Sequence, residues 1–173
     1  MNYHNISSCD IVNGEGVRCV VWVSGCPHEC DGCFNPITWN PKSGIKFDSN
    51  AEQEIFKALE SPYCNGLTLS GGDPFHITNL GTMISFCTKV KEQFPTKTIW
   101  AYSGFEFEFL AKIESKRKLL TLCDVIVDGK FKRELHKPSL KHRGSSNQRI
   151  IMVQESLTQD TIVYHKDMEE QYR

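Results

Sequence analysis

Three cysteines, Cys26, Cys30 and Cys33, fall within eight positions directly after an apolar run from Cys19 to Val23. That run is valine-rich and is closed by Gly25, so residues 18–24 read as a buried strand and the cysteines as a loop released at its end. A thiolate is the soft ligand that iron–sulfur clusters, zinc and copper(I) select. Three thiolates on one loop can hold three corners of a cubane cluster, leaving the fourth iron without a local protein ligand. A structural zinc site closed by His28 or by a distant cysteine is the competing reading. Against it, zinc sites usually present two pairs of ligands, and no second C-x-x-C lies downstream. His28, between the first two cysteines, is also poorly set to close a tetrahedron with both neighbours.

The bulk properties narrow the class. A chain of 173 residues suits one domain with a real core. A hydrophobic content of 39% with 24% charged residues is that of a soluble globular protein. The net charge of −1 leaves no electrostatic footprint for nucleic acid or an anionic membrane, so neither is expected as a partner. No stretch approaches the roughly 20 apolar residues of a membrane span, and no signal-peptide pattern opens the chain, so the expected location is the cytoplasm. A reducing cytosol keeps thiols free, which argues against a disulfide framework. The remaining cysteines, Cys9, Cys19, Cys64, Cys87 and Cys123, then read as small buried hydrophobes.

Along the chain, residues 1–17 are polar, with a turn at Asn13-Gly14 and a short strand or hairpin arm before it. Residues 35–47 read as irregular. The pattern Ser49 with Glu52 three residues on is a capping box, and Ile55, Phe56 and Leu59 supply a helical apolar face. Residues 66–70 form a second strand, followed by Gly71-Gly72-Asp73-Pro74. Apolar spacing predicts a helix over 78–94, a strand over 98–103, a helix over 106–122 whose Lys116-Arg117-Lys118 run is solvated, and a strand over 123–127. Residues 131–148 look irregular and 149–153 form a fifth strand. Beyond Glu155 the chain is polar and reads as an appendage or tail. This alternation argues for parallel βαβ units in one α/β domain. Five strands are too few for an eight-stranded barrel, so the expected architecture is a partial, open parallel β/α barrel over 1–154 with an extension over 155–173. The ligand belongs at the carboxyl edge of the strands, which collects the cysteine loop, Gly71–Pro74, Ser103–Gly104 and Asp128–Lys130.

The pattern Cys26-x3-Cys30-x2-Cys33-Phe34 after a strand, followed by Leu69-Ser70-Gly71-Gly72-Asp73-Pro74, resembles the radical S-adenosylmethionine (SAM) superfamily. The resemblance implies a [4Fe–4S] cluster on Cys26, Cys30 and Cys33, with SAM bound at the open iron through its amino and carboxylate groups. An electron from the cluster then cleaves SAM to a 5′-deoxyadenosyl radical. On the same resemblance Gly32 lets the loop backbone approach the cluster, Phe34 lies against the adenine, and Ser70, Gly71 and Gly72 offer strand-end polar groups to the methionine ammonium. Asp73 is one methylene shorter than the Glu that commonly follows the glycines. Ser103 belongs to the same edge. Asp128 and Lys130 resemble the Asp-x-Lys pair of glycyl-radical enzyme activases, with Lys130 meeting the SAM carboxylate or ribose as a point charge. Ala101 stands where pyruvate formate-lyase activases carry an acidic residue, which leaves a cation site built there without its carboxylate. No catalytic residue beyond the cluster and SAM is implied.

Over residues 1–153 the chain is similar to the activating proteins of anaerobic ribonucleoside-triphosphate reductases. The marks are Met1-Asn2-Tyr3-His4, Asp10-Ile11-Val12-Asn13-Gly14, Val23-Ser24-Gly25-Cys26, Val127-Asp128-Gly129-Lys130-Phe131 and Arg143-Gly144-Ser145-Ser146-Asn147-Gln148. This implies a flavodoxin-type electron donor and, as substrate, a glycine near the C-terminus of the large reductase subunit. A radical SAM enzyme acting on a small molecule, and a non-catalytic metal-binding scaffold, are the alternative functions.

Overall fold

In the computed structural model, which describes residues 1–169, the valine-rich segment forms β2 (Val17–Val23), and its Cys19, Val20, Val21 and Val23 are fully buried. It lies inside a seven-stranded sheet of order β3-β1-β2-β4-β5-β6-β7, with β1 (Asn2–Asp10), β3 (Ile45–Lys46), β4 (Cys64–Gly71), β5 (Thr98–Tyr102), β6 (Val125–Asp128) and β7 (Arg149–Met152). Strands β2, β4, β5 and β6 run parallel, while β1, β3 and β7 pair antiparallel at the two sides.

The helices cover one face. Ile55 and Leu59 of α1 (Ser49–Leu59) and Met83, Phe86 and Val90 of α2 (Leu80–Gln93) pack on Val21, Val23, Leu67 and Leu69 of the sheet. Leu110 of α3 (Phe107–Lys112), Leu119 and Leu120 of α4 (Glu114–Leu120) and Val153 of α5 (Val153–Gln159) complete that core. On the opposite face Trp100, Val125, Val127 and Ile150 form a smaller cluster with Met168 of α6 (Lys166–Glu169). Arg18 also lies there, 1% exposed. Its guanidinium donates only to neutral acceptors: Thr68 Oγ1, Thr98 Oγ1 and the carbonyls of Glu15, Leu67 and Thr98. Burial lowers its pKa to about 10. No described helix is long and apolar enough to cross a membrane.

Several expectations are corrected. The fold is α/β and its sheet open, as expected, but it has seven strands, four of them parallel, where five parallel ones and a short N-terminal arm were expected. The polar N-terminal segment is a full strand because it borrows burial from β2, turning Tyr3 inward while its other side stays half-exposed. β7 is antiparallel to β6: the connection over residues 129–148 holds a short 3-10 turn at Arg133–Leu135 but no α-helix to carry the chain back to the other end of the sheet. The cap of α1 is Asp48, one residue before Ser49, and its carboxylate accepts from Asn50 N and Ala51 N. The helix expected over 106–122 breaks at Ile113, whose extended backbone lets Leu110, Leu119 and Leu120 all reach the core. Lys116 is half-buried rather than solvated, donating to the Phe75 carbonyl. Cys9 is exposed, whereas Cys19, Cys64, Cys87 and Cys123 are buried free thiols.

The segment after Glu155 packs on the sheet. Tyr164 bridges to Ile151, His165 and Met168 are buried, and His165 lies against the Trp100 ring at 5.3 Å. The last four residues of the extension lie outside the described residues.

The tightest strand contact sets a test. A Cβ at Gly66 would sit 1.9 Å from the Thr98 carbonyl oxygen of the adjoining strand. Gly66→Ala must push β4 and β5 apart, and a loss of about 2 kcal/mol or more is expected as a lower urea midpoint. A loss within about 0.5 kcal/mol, as at an unconstrained surface position, would contradict this packing.

Candidate functional site

The cysteine loop leaves β2 through Gly25, and its base is tied down by Gly25 N and Cys26 N, which donate to the Thr38 and Trp39 carbonyls. It turns through left-handed backbone at Glu29 and Gly32, φ 45° and 69°. Gly32 faces Arg133, where a Cβ would meet the arginine stem at 3.0 Å. All three cysteines are free and half-buried. Burial pushes the Cys26 thiol up to about 11, against the backbone N–H groups of His28 and Glu29, which donate toward its sulfur. Burial also raises Cys30, opposed by the Phe131 amide and the Lys130 charge, and the neighbouring sulfur of Cys33 adds to the rise. Asn35 N donates to Cys33 Sγ at 3.4 Å. Each sulfur is therefore supplied with a backbone donor, the environment that stabilises thiolate.

Asp73 is the centre of the polar network beside the loop. It is 1% exposed. Its Oδ2 accepts from His28 Nε2 at 2.8 Å, Ser103 Oγ at 3.0 Å and Gly104 N at 3.1 Å, and its Oδ1 accepts from Phe75 N at 2.8 Å. The glycines before it serve close packing. Gly72 N donates to Val23 O and Asp73 N to Gly25 O, and a Cβ on Gly72 would stand 2.7 Å from the Gly25 oxygen. Ser70 is buried on the sheet face away from the helices.

Two cavities flank this network. One, of about 420 Å³, opens between that sheet face and the loop over 131–148, and Trp22, Phe34, Asn35, Ser70 and Tyr102 line it. Phe34 is 65% exposed and stacks obliquely on Phe131 at 5.0 Å. The other, of about 680 Å³, is lined by Pro27, His28, Phe105, Phe109, Lys130 and Arg149 among others. The expected site residues are thus divided: Phe34 and Ser70 share the first cavity, Asp128 and Lys130 edge the second, and Asp73 and Ser103 join the loops between. Asp128 is fully engaged by protein groups. Its Oδ1 accepts from Arg149 Nε at 2.9 Å, and its Oδ2 from Arg149 Nη2 and from Phe107 N, the first amide of α3. Lys130 is exposed. Sequence reasoning missed His28 as part of this network, and Arg149 as the partner of Asp128. A histidine unable to join its flanking cysteines in one tetrahedron must point elsewhere, and that signal was present.

A family model for a 4Fe–4S single cluster domain matches residues 12–151. A reductase-activating protein of Haemophilus influenzae is 44% identical over 150 residues, 86% of this chain and 96% of its own length. Its counterpart in Enterobacteria phage T4 is 43% identical over 87% of this chain and 93% of its own, and that of Escherichia coli K12 is 41% identical over 86% and 96%. All three are named anaerobic ribonucleoside-triphosphate reductase-activating proteins. This chain belongs to that family.

The donor set suits the iron–sulfur cluster of the family domain. Three soft sulfurs share one loop, and burial, with a smaller contribution from the neighbouring sulfur, raises the Cys26 and Cys30 thiols, while amide donors favour the negative sulfur. Among the described residues no three His, Cys, Asp or Glu side chains converge as ligands of a single ion, and the His28 Nε2 that would complete a zinc site is bonded to Asp73 instead.

The Asp128–Arg149 pair fixes the end of β6. Asp128 is 1% exposed in its side chain and Arg149 is 25% exposed. Removing one partner leaves a buried charge alone, so Arg149→Leu is expected to cost about 3–5 kcal/mol by urea unfolding, partly recovered by adding Asp128→Asn. A loss under about 1 kcal/mol would assign the pair the weight of an exposed ion pair.

Proposed function

We propose that this chain is a radical SAM activase, which holds a [4Fe–4S] cluster on Cys26, Cys30 and Cys33 and installs a glycyl radical on the large subunit of an anaerobic ribonucleoside-triphosphate reductase. The observation that carries this reading is the three-thiol loop at the carboxyl edge of parallel strands, in a chain matching reductase-activating proteins over nearly their whole length. When bound, the cluster supplies the electron, received from a flavodoxin-type donor in the cytoplasm, that cleaves SAM to methionine and a 5′-deoxyadenosyl radical competent to take hydrogen from glycine.

The chain's own residues bind, orient and exclude water. The cysteines lose their protons on ligating iron, and the amides aimed at their sulfurs compensate part of the burial. We assign the SAM nucleoside to the cavity of about 420 Å³, where Trp22 and Phe34 offer aromatic faces and Ser70 and Asn35 offer hydrogen-bonding groups. An ammonium needs acceptors, and the N–H groups of Gly72 and Asp73 are engaged with Val23 and Gly25, so the strand-end carbonyls are the groups to receive it. Lys130, close enough to Cys30 to draw its thiol down, is assigned to the SAM carboxylate. The open sheet corresponds in this reading to the superfamily's partial barrel over 1–154, with 155–173 as an extension. No acid or base is required of the protein, and the reductase loop closes the exposed side.

Anaerobic reconstitution with iron and sulfide, reduction and addition of SAM tests the reading. Production of 5′-deoxyadenosine is expected from the wild type and should fall to background in Cys30→Ala, with iron and labile sulfide counted in both. Zinc without labile sulfide, or a loaded and reduced cluster that leaves SAM intact with the reductase present, would overturn it.

A further inference from the structure

We infer that Asp73 contacts no ligand and is instead a positioning residue, which holds the cysteine loop in place through the ring of His28. The inference rests on the reading of Cys26, Cys30 and Cys33 as the cluster-binding loop.

The first ground is saturation. A carboxylate has about four lone-pair sites. Asp73 faces four protein donors, from His28, Ser103, Gly104 and Phe75, and is 1% exposed. No acceptor capacity remains for an ammonium or a ribose hydroxyl. The second ground is the shape of the socket around the histidine. His28 is 5% exposed in its side chain although it belongs to a strand-end loop. Its ring lies against Gly104, where a Cβ would stand 2.3 Å from His28 Cδ2, and meets Phe105 edge-on at 4.4 Å. Ser103-Gly104-Phe105 therefore work as a unit: the serine and the glycine amide hold the carboxylate, the glycine makes room, and the phenylalanine walls the ring. Lys116 closes the outside, over Phe105 at 4.2 Å and bonded to the Phe75 carbonyl.

The third ground is what the socket controls. His28 lies two residues from Cys26 and two from Cys30. With its ring anchored, its backbone N–H stays close enough to Cys26 to favour the negative sulfur, with that of Glu29, against the larger effect of burial. The chain of contact runs from Asp73 to the His28 ring, to the His28 amide, to the thiolate. An N–H donor on a cluster sulfur stabilises the more negative, reduced state, so releasing it lowers the reduction potential. The same release loosens the spacing of Cys26 and Cys30.

Asp73→Asn and His28→Ala, singly and combined in the full chain, separate this from a ligand role. In the cluster-free protein, iodoacetamide alkylation of Cys26 is expected to quicken several-fold in each single variant and no further in the double, because both act through one contact. In the reconstituted protein, each single variant and the double are expected to show the same lowered midpoint potential by redox-titrated electron paramagnetic resonance and the same faster iron loss to a chelator, with SAM affinity unchanged. Ser103→Ala, which removes one donor and leaves the ring seated, is expected to give a smaller shift in the same direction and covers the case in which Asp73→Asn does not fold. An Asp73→Asn protein that binds SAM tenfold more weakly with alkylation and potential unchanged would overturn the inference, as would single effects that add in the double. A wild type that takes up no iron and sulfide would instead defeat the cluster reading, and the alkylation rates would still decide whether Asp73 positions the loop.

Discussion

The parallel pairing of β2 with β4 is the constraint on which the site depends. Trp22 pairs with Ser70 and Val23 with Gly71, so the two strands end together. The hydrogen bonds continue one step past the sheet, from Gly72 N to Val23 O and from Asp73 N to Gly25 O. That extension is possible only without side chains at the crossing, since a Cβ on Gly71 would lie 2.6 Å from the Trp22 Cα. The cysteine loop therefore starts where the Gly-Gly turn starts. Asp73, first residue beyond the contact, arrives beside His28 as a consequence of register and not of any local preference.

Charge is handled differently at the two ends of the parallel strands. At the amino ends, Arg18 is buried without a carboxylate, satisfied by hydroxyls and carbonyls and lying over the Trp100 ring at 5.4 Å. At the carboxyl ends two buried aspartates are each fully hydrogen-bonded. Asp73 is held by a histidine, a serine and two amides, and Asp128 by Arg149 and an amide. A buried charge left unpaired is costly, and each of these satisfies its group completely. Both carboxylates are 1% exposed. The edge exposes Lys130, Phe34 and Phe109 together with the acidic Glu29, Asp31 and Glu106.

The legible parts of the chain were those whose signal is local. The four parallel strands, α1 and α2 followed from apolar runs and periodicity, and the cysteine spacing pointed to the family domain that matches residues 12–151. Features created by long-range pairing were not legible. The length of β1 beyond the short hairpin arm expected there depends on its pairing with β2, and the reversed direction of β7 depends on a long connection with no α-helix. Lys116 sits in a basic run that looks solvated, yet its ammonium lies over the Phe105 ring and donates to a carbonyl 41 residues away in sequence. At the site, residue types pointed to loops that the fold brings to one strand edge, but not to the partners of their side chains. Asp73 and Asp128 were singled out from the sequence, but the protein groups that donate to them were not read as their partners: apart from Phe75 N, two residues from Asp73, these come from 21 to 45 positions away. No periodicity carries that information.

The central claim is that a three-thiol loop held by this architecture serves to make a radical on another protein. The most direct measurement is electron paramagnetic resonance on the reduced, cluster-loaded chain mixed anaerobically with SAM and the large subunit of an anaerobic ribonucleoside-triphosphate reductase. A glycyl-radical doublet that requires SAM and disappears when the target glycine is replaced by alanine is the expected result. No doublet from a chain whose cluster is intact and reduced, with a reductase that a related activating protein does activate, would contradict the account.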